Sequence, residues 1–169
     1  MNTTRLERVR GLMRRRRLEQ LIITQPQSIY YLTGEWVAPM DRLDALIITG
    51  DDVRMLCYNL AVIEPENCKT VIYSDMGRAL PCLMELMERV PTGIDGGMAA
   101  RFCLPLIEAM PEVRFTASYC VDAARMICDA LKDRVVIHMN VFAPHRRRAA
   151  GRAHSGESGG REAGACGHR

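Results

Sequence analysis

Histidines and cysteines are the residues best suited to metal binding or nucleophilic catalysis in this 169-residue chain, and their placement argues against both. His138, His145, His154 and His168 all follow residue 132, so residues 1–132 hold no histidine. A paired-metal hydrolytic site needs convergent carboxylates with imidazole, and an open coordination position for water. A Ser–His or Cys–His nucleophile needs a base beside it. The first 132 residues can assemble neither. Cys166-Gly167-His168 lacks a second ligand pair at metal-site spacing. Gly93, Gly96 and Gly97 flank Asp95 in a strand-to-helix turn whose backbone N–H groups suit a phosphate. The spacing is not G-x-G-x-x-G, and Asp95 would repel an anion. A tight connection with Asp95 near the helix start is the better reading. The sequence therefore nominates no catalytic residue, no metal ligand and no cofactor held by this chain.

The cysteines are Cys57, Cys68, Cys82, Cys103, Cys120, Cys128 and Cys166. They form no C-x-x-C pair and their number is odd, which argues against a disulfide framework. Reduced, mostly buried thiols in a cytoplasmic protein are expected. No apolar run approaches the ~18 residues that span a bilayer. Met1 to Arg17 is Arg-rich but lacks the apolar stretch of a secretory signal, and Glu7 and Glu19 spoil a transit-peptide pattern.

Charge divides the chain. Residues 1–132 carry 16 Lys and Arg against 17 Asp and Glu, whereas residues 133–169 carry 7 Arg against 3 acids. From Pro144 to Arg169 no aliphatic side chain exceeds Ala and no aromatic occurs. Such a segment buries too little apolar surface to offset its ordering entropy. The expected organisation is one folded domain over residues 1–132, followed by a basic, low-complexity, disordered tail over residues 133–169. An Arg-, Gly-, Ala- and His-rich stretch of this kind is also what a shifted reading frame yields in a GC-rich gene.

The elements that would position any site alternate between strand and helix. Leu6, Val9, Leu12 and Met13 form one stripe of a helix over 3–20, with Thr3 or Thr4 as cap and Glu7 completing a capping box. Leu21 to Thr24 reads as a buried strand stopped by Pro26, and Ser28 to Gly34 as a short helix. A loop from Glu35 to Arg42 follows. Strands over 43–49 and 53–58 are joined by the turn Gly50-Asp51-Asp52. Further strands are expected over 69–73, 92–95 and 113–116. Helices are expected over 78–89, with Pro81 in the first turn, and over 98–110 and 118–131. The fold class is α/β: a mixed β-sheet, because of the hairpin, flanked by helices.

Ser28-Ile29-Tyr30-Tyr31-Leu32-Thr33-Gly34, with Trp36, Arg42 and the hairpin 43–58 after it, resembles a known pattern. It is similar to the N-terminal domain of the Xaa-Pro dipeptidase (prolidase), aminopeptidase P and creatinase family. The order of elements matches over residues 3–131, and Gly93-Ile94-Asp95 resembles a later G-x-D turn of that domain. In the complete enzymes this domain precedes a "pita-bread" catalytic domain. There, two divalent metal ions are held by Asp, His and Glu. Nothing recognisable as that second domain follows Asp133.

The resemblance implies that the loop 35–42 reaches the mouth of an active site, often the partner subunit's. Trp36 would then wall a proline ring, and Arg42 would meet a substrate carboxylate, a pairing that suits a guanidinium. Read from the residues alone, Trp36 anchors the loop and Arg42 pairs with Glu35, Asp41 or Asp44. Tyr30 and Tyr31 read as packing residues.

The function expected is a non-catalytic N-terminal domain, inactive alone, that gates substrate and contacts subunits, as a homodimer or with a full-length relative. A stand-alone dimerisation module is the alternative. A nucleic-acid binder acting through Arg146-Arg147-Arg148 ranks last, because the body is near neutral and the tail has no aromatics for base stacking.

Overall fold

In the computed structural model, residues 1–126 are described apart from Met40, Met76 and Gly77. The expected tail, the end of the last helix, all four histidines, Cys128 and Cys166 lie outside the described residues.

The strands are β1 (Gln20–Ile23), β2 (Ala45–Thr49), β3 (Val53–Tyr58), β4 (Lys69–Tyr73), β5 (Thr92–Asp95) and β6 (Phe115–Ser118). They form one sheet in the order β4-β3-β2-β1-β5-β6. β2 runs antiparallel to both β1 and β3, while the pairs β3–β4, β1–β5 and β5–β6 are parallel. The expected mixed sheet is therefore present, with β2 as its one reversed strand.

Five helices are described: α1 (Thr3–Arg15), α2 (Pro26–Thr33), α3 (Ala79–Leu86), α4 (Ala100–Ala109) and α5 (Cys120–Met126). Side chains alternate across the strands. Leu21, Ile23, Leu46, Ile48, Met55 and Cys57 pack with α1, α2 and α5 on one face. Ile22, Ala45, Ile47, Leu56 and Tyr58 pack with α3 and α4 on the other. Strands covered on both faces read as continuous apolar runs, and Leu21-Ile22-Ile23 and Leu46-Ile47-Ile48 are such runs.

Several boundaries differ from the sequence-based expectations for local reasons. Asn2, not Thr3 or Thr4, caps α1: its Oδ1 accepts the Arg5 N–H at 3.0 Å. Glu7 completes no capping box and instead pairs with Arg10 at 3.0 Å. α1 ends at Arg15 because Arg17 takes a left-handed φ of 56° to turn the chain into β1. Pro26 opens α2 at its first turn, where the missing N–H is harmless. β6 begins two residues after Val113, because its parallel register sets Phe115 opposite Thr92. Val113 instead buries itself under the preceding turn.

Candidate functional site

β1, β3, β4, β5 and β6 all end at one edge of the sheet, and the segment joining α2 to β2 crosses that same edge. Gly34 starts the segment with φ 81°, a left-handed conformation that closes α2 by donating to the Tyr30 carbonyl. Val37 is buried and pins the middle. Trp36, between them, is 52% exposed and meets Tyr30 edge-on, with ring centroids 6.1 Å apart at 70°.

Two ion pairs fasten the far end of the segment. Arg101, in the first turn of α4, donates through Nη2 to the Asp41 carbonyl at 2.7 Å and to its carboxylate at 3.2 Å. Arg42 Nε donates to Asp75 Oδ1 at 2.9 Å. This corrects the sequence reading, which paired Arg42 with Glu35, Asp41 or Asp44. The partner comes from 33 residues downstream, just beyond β4.

Asp75 is held from its other side. Its Oδ2 accepts the Tyr58 hydroxyl at 2.7 Å, and the Arg42 guanidinium lies 5.3 Å from the Tyr58 ring centroid. Tyr58 and Tyr73 are opposite each other in the β3–β4 register, with rings 5.5 Å apart. The Tyr73 hydroxyl accepts the Leu43 N–H at 2.9 Å, and Asp44 Oδ1 accepts the Tyr58 N–H at 2.8 Å. The hydrogen bonds from Tyr58 and Arg42 hold the Asp75 carboxyl below the usual carboxylate range. Asp75 and Tyr58 in turn raise Arg42. Burial pushes Asp44 up, against the backbone hydrogen bond from Tyr58.

A second feature of this edge lies between β1 and β5. These neighbouring parallel strands send their following helices, α2 and α4, to opposite faces of the sheet. Such a point usually opens a ligand crevice. Here Gln25 fills it: a Cβ placed on Gly97 would sit 2.2 Å from Gln25 Cγ. The Asp95 carboxylate is also fully engaged, accepting the N–H groups of Thr24 and Gln25 at 2.9 Å, the Thr24 hydroxyl at 2.7 Å and the Gly97 N–H at 3.2 Å. The turn closes a strand-to-helix connection rather than cradling a phosphate.

The chemistry available at this edge is recognition. It offers an exposed indole and an oriented guanidinium, and residues 1–132 hold no imidazole. Among the described residues, no group of three His, Cys, Asp or Glu side chains is placed to hold a metal ion. Asp44, Asp75 and Asp95 are spent on the hydrogen bonds above. These residues do not fit a metal pair.

Both sequence-nominated residues lie on the segment crossing this edge. They are not joined: Trp36 meets Tyr30, whereas Arg42 meets Tyr58 and Asp75. Tyr58, Asp75 and Arg101 were missed. Their only sequence signal is position, at or just after strand ends and in a first helical turn. A cavity of about 450 Å³ occupies the opposite edge, beside Arg10, Asp52, Arg54 and Glu88. Arg10 and Arg54 there are committed to Thr49, Asp52, Leu86 and Glu88.

Comparison with known proteins agrees with this architecture. Residues 5–127 match the model of the Creatinase/Prolidase N-terminal domain. The fold is similar to the N-terminal domain of an X-Pro dipeptidase from Streptococcus pyogenes, at 16% identity and TM-score 0.57 over 69% of this chain and 94% of that one. An Xaa-Pro aminopeptidase structure from the same organism shares 20% identity at TM-score 0.59, covering 72% of this chain and 95% of that one. The prolidase of Pyrococcus horikoshii gives TM-score 0.58 at 15% identity over 74% of this chain, but only 35% of its own length is matched. No curated protein sequence matches the chain. Among the described residues, no helix is long and apolar enough to cross a membrane.

Proposed function

The chain belongs to the creatinase/prolidase N-terminal domain family, and from that membership we propose that it is a non-catalytic recognition module of the Xaa-Pro peptidase type. Its segment 34–44 presents Trp36 and Arg42 to a substrate held at a neighbouring catalytic site, in a partner subunit or a full-length relative. Trp36 supplies an apolar wall to a proline ring, and Arg42 binds the peptide's terminal carboxylate. The observation that carries this reading is the pairing of an exposed indole and a doubly supported guanidinium on one tethered segment at the sheet's carboxyl edge. The absence of histidine from residues 1–132 supports a role in binding rather than turnover. Exposed Leu104 and Ile107, three residues apart on α4, favour a subunit contact there.

Equilibrium dialysis of the full chain against glycyl-proline and glycyl-prolinamide tests the recognition. The dipeptide is expected to bind and the amide to bind at least about fivefold more weakly, the scale of one charge-assisted hydrogen bond. Trp36→Ala should weaken both ligands, through the ring they share, and Arg42→Ala the dipeptide alone, through its carboxylate. Equal binding of dipeptide and amide, unchanged in Arg42→Ala, contradicts the reading.

A further inference from the structure

Arg42 meets Asp75 through Nε alone. Among the described residues, neither Nη1 nor Nη2 makes a side-chain hydrogen bond of normal geometry, although the Tyr58 hydroxyl, already given to Asp75, also favours the charged guanidinium. A guanidinium has two edges on which a carboxylate can form paired hydrogen bonds: the side edge, using Nε and one Nη, and the end edge, using both Nη atoms. The side edge is where Asp75 sits. The end edge is left for a ligand. Asp75 is itself locked by the 2.7 Å bond from the Tyr58 hydroxyl, and Tyr58 is buried at the end of β3 with its backbone N–H on Asp44. The guanidinium also lies against the Tyr58 ring.

We infer that Asp75 and Tyr58 are positioning residues for Arg42, fixing the side edge of its guanidinium so that the end edge receives a ligand carboxylate. The inference rests on the recognition role proposed above for Arg42 and names what makes it selective. An arginine on an exposed segment loses side-chain freedom when it binds, whereas one already held by an internal carboxylate loses less. Asp75 therefore raises affinity for an outside carboxylate despite carrying the same charge. The competing arrangement has opposite consequences: if Asp75 merely occupied the ligand's place, removing it would strengthen binding.

The test is an NMR titration of the full chain with glycyl-proline, reading the Arg42 Nε–Hε and Nη signals. It uses wild type, Asp75→Asn, Tyr58→Phe and Arg42→Lys. Asp75 is 63% exposed and Tyr58→Phe keeps the ring, so both variants retain the fold, which the amide spectrum checks. In wild type the ligand should shift the Nη signals while Hε stays hydrogen-bonded and slow to exchange. Asp75→Asn and Tyr58→Phe should speed Hε exchange without ligand and weaken binding about threefold or more, the scale of an exposed ion pair. Arg42→Lys should abolish the specific shift. Binding at Arg42 that is unchanged or tighter in Asp75→Asn overturns the positioning role and leaves recognition by Arg42 standing. No ligand-dependent shift at Arg42 in any protein overturns both.

Discussion

Asp95 and Thr24 are 71 residues apart, yet the Asp95 carboxylate takes both the backbone N–H of Thr24, at 2.9 Å, and its hydroxyl, at 2.7 Å. With the Gln25 N–H at 2.9 Å and the Gly97 N–H at 3.2 Å, one buried carboxylate closes the ends of β1 and β5 and the entry to α2. This junction sets where α2 begins, and hence where the segment bearing Trp36 and Arg42 leaves it. Asp95→Ala strands three backbone donors and a hydroxyl in a nearly dry position. It should lower stability by about 3 kcal/mol, within the range for losing hydrogen bonds to a charged group. Urea denaturation followed by circular dichroism measures this. A loss below about 1 kcal/mol would mean that water replaces the carboxylate at no penalty.

Two glycines near this junction should respond differently to the same substitution. A Cβ on Gly93 would lie 2.9 Å from both Leu18 Cδ1 and Ser118 Cβ, and Ser118 Cβ is fixed to the neighbouring strand β6. Gly93→Ala should therefore cost about 2 kcal/mol, the usual penalty of overpacking. A Cβ on Gly97 meets the flexible Gln25 side chain, which can swing out to solvent. Gly97→Ala should cost less than Gly93→Ala and open the crevice between β1 and β5. Matched thermal melts of the two variants decide the order, and the reverse order would contradict the packing described.

These junctions show what the sequence could and could not disclose. The paired apolar runs Leu21-Ile22-Ile23 and Leu46-Ile47-Ile48 disclose buried strands, because both faces of the sheet are covered and no polar position interrupts them. The alternation of strand and helix, the hairpin at Gly50 and the Ser28–Gly34 segment disclose the fold family and the segment carrying Trp36 and Arg42. The partner of Arg42 was not legible. Three acids lie within seven residues of it, but the chain's path brings Asp75 to it from the end of β4 instead. Local spacing carries no information about which strand ends meet across a sheet. Val113 was misassigned to β6 for a similar reason: the register with β5, and not its own apolar character, starts that strand at Phe115.

The Tyr58–Asp75–Arg42 arrangement has a pH signature. Asp75 is held below its ordinary value of 3.8, first by the Tyr58 hydroxyl and then by Arg42. A carboxyl with a depressed folded pKa contributes its interaction above the ordinary value and loses it as pH falls through the depressed one. The Arg42 Hε signal should therefore stay hydrogen-bonded down to a pH below 3.8 and weaken beneath that. In Tyr58→Phe the midpoint should rise toward the ordinary value. Carbon-detected NMR of the Asp75 carboxyl reads both midpoints directly, and an Asp75 midpoint above 3.8 would contradict the geometry.

Burial governs the thiols. Cys57 is pushed up to about 11 and Cys68 to about 12, in each case chiefly by desolvation. Only the thiolate is nucleophilic, so both should resist iodoacetamide in the native protein at neutral pH and react once it is unfolded. Peptide mapping of labelled samples with and without urea checks this. Rapid native labelling of Cys57 would show that the face under α1 and α2 opens readily.

The most direct trial of the whole account is to follow glycyl-proline in the presence of the full chain and manganese, by mass spectrometry, under conditions where binding through Arg42 is saturated. The dipeptide should be recovered intact, with binding lost in Arg42→Ala. Release of proline that scales with protein concentration and persists through repurification would contradict a recognition module without catalysis of its own.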